Sequence, residues 1–167
     1  MRQRHTSQDD PRAHEFEAYV AGAGTRLLHT ATLLTAEPPE ANPHARRLLT
    51  LALAHTYASW DRLHGADPYA HTRRYLATRF VNSAWHRRGG LLRPRTRLEG
   101  PLARLSPQER LVLVLRLHEG VAEEQTAALL GVSAERVRAV LHRAMTAVLR
   151  PPPGPAPAVG GVEAVPS

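Results

Sequence analysis

Apolar positions recur at helical spacing along most of this chain, and polar, proline- or glycine-rich stretches interrupt them. From residue 15 to 35, Phe16, Tyr19, Val20, Leu27, Leu28, Ala31 and Leu34 fall on one helical stripe, with Gly22 and Gly24 weakening its middle. AEPPEANP, residues 36–43, predicts a loop. A second helix follows over 45–60, carrying Leu48, Leu49, Leu51, Ala52, Leu53 and Tyr57. Asp67 and Pro68 supply a cap and a first helical position for a third, reaching about residue 88. Residues 1–14 carry no apolar pattern and predict a flexible lead-in.

The clearest pattern lies between residues 105 and 149. Ser106, Pro107 and Glu109 form a helix start: a hydroxyl to accept free amides, a proline where no amide is needed, and a carboxylate reaching back. The run Leu111, Val112, Leu113, Val114, Leu115 and Leu117 is apolar on all sides, which predicts a core helix of a small module. Gly120 ends it, and a short helix follows over 122–130, with Glu123 and Glu124 near its positive end as a solvated first turn. Gly131, Val132 and Ser133 then provide a left-handed cap, a small apolar plug and the cap of a further helix. A short helix, a tight glycine turn and a longer helix predict a helix-turn-helix.

In that last helix Val137, Val140, Leu141, Ala144 and Val148 share the inward face. Ser133, Glu135, Arg136, Arg138, Ala139, His142 and Arg143 lie at its start and on the opposite side. Arginine forks onto guanine edges or phosphates, glutamate accepts from cytosine, and alanine touches a thymine methyl, so this face has the chemistry to read a major groove. The plainer alternative is a solvated basic face. The helix over 68–88 interleaves Tyr69, Tyr75, Phe80 and Trp85 with Arg73, Arg74, Arg79, Arg87 and Arg88. That mixture suits a single-stranded nucleic-acid platform, and equally a helix with an aromatic core face and solvated arginines.

Charge sharpens the picture. Lys+Arg 22 against Asp+Glu 15 gives +7, which favours an anionic partner, nucleic acid before membrane surface. Every basic residue is arginine, as in proteins of GC-rich genomes, so the placement of charge says more than its total. Residues 89–101, rich in arginine and broken by glycine and proline, predict a flexible basic linker between two small helical domains, 15–88 and 102–150. Residues 151–167, proline- and glycine-rich, predict a disordered tail. The absence of cysteine excludes disulfides and thiolate metal sites. Ten scattered histidines match no ligand spacing, and no glycine-rich phosphate loop, serine elbow or paired-carboxylate motif is present. We therefore expect a protein that is not an enzyme, with no metal or cofactor. No apolar run is long enough to span a membrane and the first residues lack a signal core, so a cytoplasmic protein without a membrane partner is expected.

With both halves placed, the chain resembles the extracytoplasmic-function class of bacterial sigma factors, in a branch common among actinobacteria. FEAYVAGAGTRLLHTATLLT, ARRLLTLALAHTYASWDRL and DPYAHTRRYLATRFVNSAWHRR resemble region 2 of that family, and PLARLSPQERLVLVLRLHEGVAEEQTAALLGVSAERVRAVLHRAM resembles region 4 most closely. The resemblance implies an all-α fold of two domains, promoter DNA and RNA polymerase core as partners, and an anti-sigma factor as a further possible one. It assigns Ser133, Glu135, Arg136, Arg138, Ala139, His142 and Arg143 to the upstream promoter element. Arg74, Thr78, Asn82, Trp85, Arg87 and Arg88 would face the downstream element as its strands separate, with Thr78 and Asn82 competing for the family's asparagine position. Arg47, Leu48, Thr50 and Leu51 fall on the polymerase-binding helix. There the family carries acids, whereas this chain has Arg47 and Leu51. Reversing one charge of an interface pair turns attraction into repulsion. Two readings stay open: an initiation factor that docks on polymerase, and a sigma-like DNA-binding regulator or interaction protein that has left it.

Overall fold

The structure, a computed structural model, describes residues 6–63, 65–87 and 98–150, and among them every regular element is helical. Helices α1 (Thr6–Thr35), α2 (Pro43–Ala58) and α3 (Pro68–Arg87) form a first bundle. Helices α4 (Pro107–Leu113), α5 (Glu123–Leu130) and α6 (Ala134–Leu149) form a second. One turn each of 3-10 helix, Trp60–Leu63 and Pro101–Arg104, follows α2 and precedes α4. The expected linker over 89–101 lies outside the described residues up to position 97, as do residues 1–5, Arg88 and the tail at 151–167.

The lead-in expected over residues 1–14 is helical from Thr6 onward, which corrects the sequence reading. The reason is tertiary. The Arg12 guanidinium lies 4.5 Å over the Tyr57 ring, donates to the Tyr57 carbonyl and pairs with Asp61 at 3.1 Å. Phe16 packs against Tyr57 and Trp60, with ring centroids 4.9 and 5.1 Å away. These contacts hold the first turns even though Pro11 removes a backbone donor inside the helix.

Leu27, Ala31, Leu34, Ala45, Leu48, Ala52, Leu76, Ala77 and Phe80 fill the first core. A hydroxyl relay crosses it: Tyr19 Oη lies 2.6 Å from Thr72 Oγ1, which lies 2.8 Å from Thr56 Oγ1, so α1, α2 and α3 share one chain of hydrogen bonds. The loop after α1 is as expected, and it does more than connect. Its Glu37 is buried and accepts from the His44 and Ala45 amides at 3.1 and 2.8 Å, capping α2, whose N-cap residue Asn42 makes no side-chain cap bond.

Helix α4 and the turn that continues it are apolar all round because they belong to both cores. Leu111, Val114 and Leu115 enter the first bundle, while Val112 packs with Ala127, Val137 and Val140 in the second. Its start is the expected capping box: the Glu109 amide donates to Ser106 Oγ at 3.3 Å, and Glu109 Oε2 accepts from the Ser106 amide at 3.0 Å. Arg110, 5% exposed, donates to the carbonyls of Leu34, Leu102 and Leu105 at 2.9, 3.2 and 3.1 Å. From α4 it satisfies an orphan carbonyl at the end of α1. After Leu113 the helix widens into a π turn, Val114–His118, closed by a bond from the Glu119 amide to the Val114 carbonyl. Leu117 leaves the core there and is 57% exposed, contrary to the reading of an apolar run buried throughout.

That wider turn places Glu119 at the junction. Its side chain is 0% exposed, yet it accepts from Thr30 Oγ1 at 2.5 Å and Tyr69 Oη at 2.8 Å, and Arg26 and Arg73 each lie 3.4 Å away. Burial pushes its carboxyl up, but the Thr30 and Tyr69 hydrogen bonds and the two arginines outweigh this and hold it below the usual carboxylate range. Burial beside that carboxylate raises the Tyr69 hydroxyl to about 12.

Candidate nucleic-acid interface

The helix-turn-helix is built by local chemistry. Gly131 takes φ 64°, which a side chain resists, and so allows the chain to leave α5. The Val132 amide bonds back to the Ala127 carbonyl at 3.1 Å, and Ser133 Oγ accepts from the Arg136 amide at 3.2 Å to start α6. Val137, Val140 and Ala144 are buried, which fixes the rotation of α6 about its axis. Glu135, Arg136, Arg138, Ala139, His142 and Arg143 are all exposed on the other side, together with Ser133. The seven positions expected from the sequence therefore share one accessible surface. Ser133 has a structural duty there as well, since its hydroxyl is the helix cap.

The arginines on that surface are not equivalent. Arg138 Nη2 donates to Glu123 Oε1 at 2.7 Å, across the turn from the first turn of α5. Arg143 Nε lies 3.8 Å from Glu109 Oε1, beyond hydrogen-bond distance. The Glu135 carboxyl is held low by its own backbone amide, by the Ser133 hydroxyl and by the nearby Arg138 charge. The sequence predicts Glu123 in a solvated first turn; its side chain is instead only 15% exposed and is committed to Arg138. No local spacing could have found this pair, because its members are 15 residues apart.

On α3, Arg74, Thr78 and Asn82 are exposed four residues apart and form one outward stripe with Arg79 beside it. The Thr78 hydroxyl donates to the Arg74 carbonyl at 2.9 Å, whereas Asn82 stands one turn further along. Trp85 and Arg87 fall in the last turn of α3, but their side chains, like Arg88, lie outside the described residues. The described aromatics of this helix are used in packing: Tyr69 on Glu119, Tyr75 stacked on His55 at 4.1 Å, and Phe80 in the core. Arg73 also turns inward, to Glu119. Of the two readings left open for α3, the aromatic core face with outward arginines describes these residues.

On α2, Arg47, Thr50 and Leu51 share an outward face with Arg46 and Ala54. Leu48, which the sequence placed with them, is 8% exposed and packs in the first core, so it offers no contact surface. Among the described residues no three histidine, aspartate or glutamate side chains gather as a metal site, and no helix is long and apolar enough to cross a membrane.

Comparison with known proteins agrees with this geometry. The family model for sigma-70 region 4 matches residues 102–148, the segment from the 3-10 turn through α6. RNA polymerase sigma-E factors from Streptomyces coelicolor and Streptomyces avermitilis are each 34% identical over 153 residues, 78% of this chain and 82% and 81% of theirs. The sigma-E factor of Streptomyces antibioticus is 33% identical over the same length. No solved structure matches the chain. With the sigma-70 region 4 model matching residues 102–148 and sigma-E relatives 34% identical over 78% of the chain, the chain belongs to the RNA polymerase sigma factors, in the extracytoplasmic-function branch of actinobacterial type, and serves transcription initiation with DNA recognition.

Proposed function

We propose that this sigma factor docks on core RNA polymerase through the outward face of α2 and reads the upstream promoter element with α6, while the Arg74, Thr78 and Asn82 stripe of α3 faces the downstream element. The observation that carries the reading is the single accessible surface formed by Glu135, Arg136, Arg138, Ala139, His142 and Arg143, opposite a fully buried stripe. Its donors suit guanine edges and phosphates, and its acid suits cytosine. The protein acts by binding alone and carries out no covalent chemistry; we place it in the cytoplasm, with the polymerase. An anti-sigma factor is a further partner in this reading.

A second reading, a regulator or interaction protein that no longer binds core, is favoured by one observation. Arg47 and Leu51 stand outward on α2, where the family resemblance leads one to expect acids. A pull-down with purified core polymerase separates the two, run beside a variant carrying Arg47→Asp and Leu51→Glu. We expect the natural protein to retain core, with Arg46, Thr50 and Ala54 sharing the contact. Capture of the variant alone would sink the first reading and leave the DNA-binding half as the function.

A further inference from the structure

The acids around Arg138 set it apart from the other outward arginines. An arginine that binds phosphate gains most when its full positive charge faces the backbone and no carboxylate stands nearby. Arg138 has Glu123 at 2.7 Å and is close enough to Glu135 to favour that carboxylate's charged form. Both acids repel phosphate. Yet the ion pair uses one donor nitrogen of the guanidinium, Nη2, and other N–H groups remain on a side chain that is 70% exposed. A guanidinium with its charge partly answered and its remaining donors outward is suited to a base edge, where hydrogen-bond pattern matters more than net charge. Glu123 is a firm anchor for it: its side chain is 15% exposed and sits in the first turn of α5, which the turn at Gly131 holds against α6.

We propose that Glu123 is a positioning residue that aims Arg138 at a base edge, making Arg138 the sequence-discriminating arginine of α6. The inference rests on the reading of α6 as the duplex-reading helix. By holding one nitrogen before DNA arrives, Glu123 removes part of the cost of ordering a long side chain at the moment of binding. Arg143, 3.8 Å from Glu109, keeps more of its charge for the backbone.

The test uses the full chain and a pool of short duplexes randomised over eight or so consecutive positions. The parent, Arg138→Ala, Glu123→Gln and the double variant each select from the pool, and base preferences are read by sequencing. We expect Arg138→Ala to lose its preference at one or two positions, by about tenfold, as the loss of a bidentate contact requires. Glu123→Gln should lose preference at those same positions, by about threefold to tenfold, and add nothing in the Arg138→Ala background, since residues acting through one contact are not additive. Thermal melts that coincide with the parent's exclude a folding cause. If Arg138→Ala relaxes a position and Glu123→Gln does not, or if Glu123→Gln changes all positions alike as a bare charge effect, the positioning role is overturned while the reading of α6 stands. If the parent selects no base, or Arg138→Ala selects as the parent does, base reading through Arg138 is wrong and the inference falls with it.

Discussion

Two glutamates four residues apart, Glu119 and Glu123, each meet arginine from another helix, and their surroundings give the contacts opposite uses. Glu119 is sealed between α1, α3 and the end of α4, with Thr30, Tyr69, Arg26 and Arg73 around it. Glu123 meets Arg138 at the protein's edge, where water screens the pair. A sealed carboxylate that lost its partners would be an uncompensated charge in an apolar junction, so the network fixes how the two bundles sit together. An exposed pair contributes little to stability and chiefly sets where a side chain points. The same pair of chemical groups is an anchor in one place and a guide in the other.

The largest effect expected from breaking this contrast is at the buried end. Glu119→Ala leaves two arginines and a tyrosine hydroxyl without their acceptor at the junction, and should cost about 3–5 kcal/mol in urea unfolding. A loss below about 1 kcal/mol would mean that water replaces the carboxylate and that the junction is not sealed. Next comes the apolar side of the same junction. Leu111 is 0% exposed in the first core, and Leu111→Ala should cost about 2–5 kcal/mol by the same measurement.

Acid should weaken the fold through its buried titratable groups. The Glu119 and Glu37 carboxyls are lowered on folding, so their contribution is present above the unfolded carboxylate range and is lost as pH falls through the folded values. His118 is lowered by burial, against the pull of Glu119 and with help from His29 and Arg26; His71 is lowered by burial and then by His55, Arg74 and Arg62. A histidine kept neutral by folding contributes fully above its unfolded value, about 6.5, and loses that contribution as pH falls below it. Both sets act in one direction. The melting temperature should be flat near neutrality, begin to fall below about pH 6.5, and fall more steeply below about pH 4.5 as the carboxyls protonate. A stability that rises between pH 6.5 and 5 would show that the histidines favour their charged form in the fold. At the alkaline end Tyr69, raised to about 12, contributes fully below the ordinary tyrosine value, about 10, and loses that contribution as pH rises through the folded value.

The smallest stability change is expected at the exposed pair. Glu123→Gln should lower unfolding free energy by less than about 1 kcal/mol, because Arg138 is mostly in water. A cost near that of Glu119→Ala would erase the distinction between the two pairs.

The helix-turn-helix was legible because its signals are local. Ser106 with Glu109, the glycine at 131 and the cap at Ser133 lie within a turn of the groups they satisfy, and the buried stripe of α6 follows from helical spacing. The outward face of α6 could therefore be named residue by residue. On α2 helical spacing counts Leu48 with the apolar positions, and the structure packs it in the first core; it is the family resemblance that sets Leu48 beside the docking residues. The helical start at Thr6 is not legible in local spacing, because it depends on Arg12 meeting Tyr57 and Asp61, partners far along the chain.

By itself the sequence determined that the chain is helical, the turn between α5 and α6, and which residues α6 turns outward, because spacing and caps act over three or four residues. Only the tertiary structure decided that α4 serves two cores, that Arg73 and Tyr69 face inward to Glu119, and that Glu123 belongs to Arg138. Those pairings join groups 15 to 50 positions apart, and only packing brings them into contact.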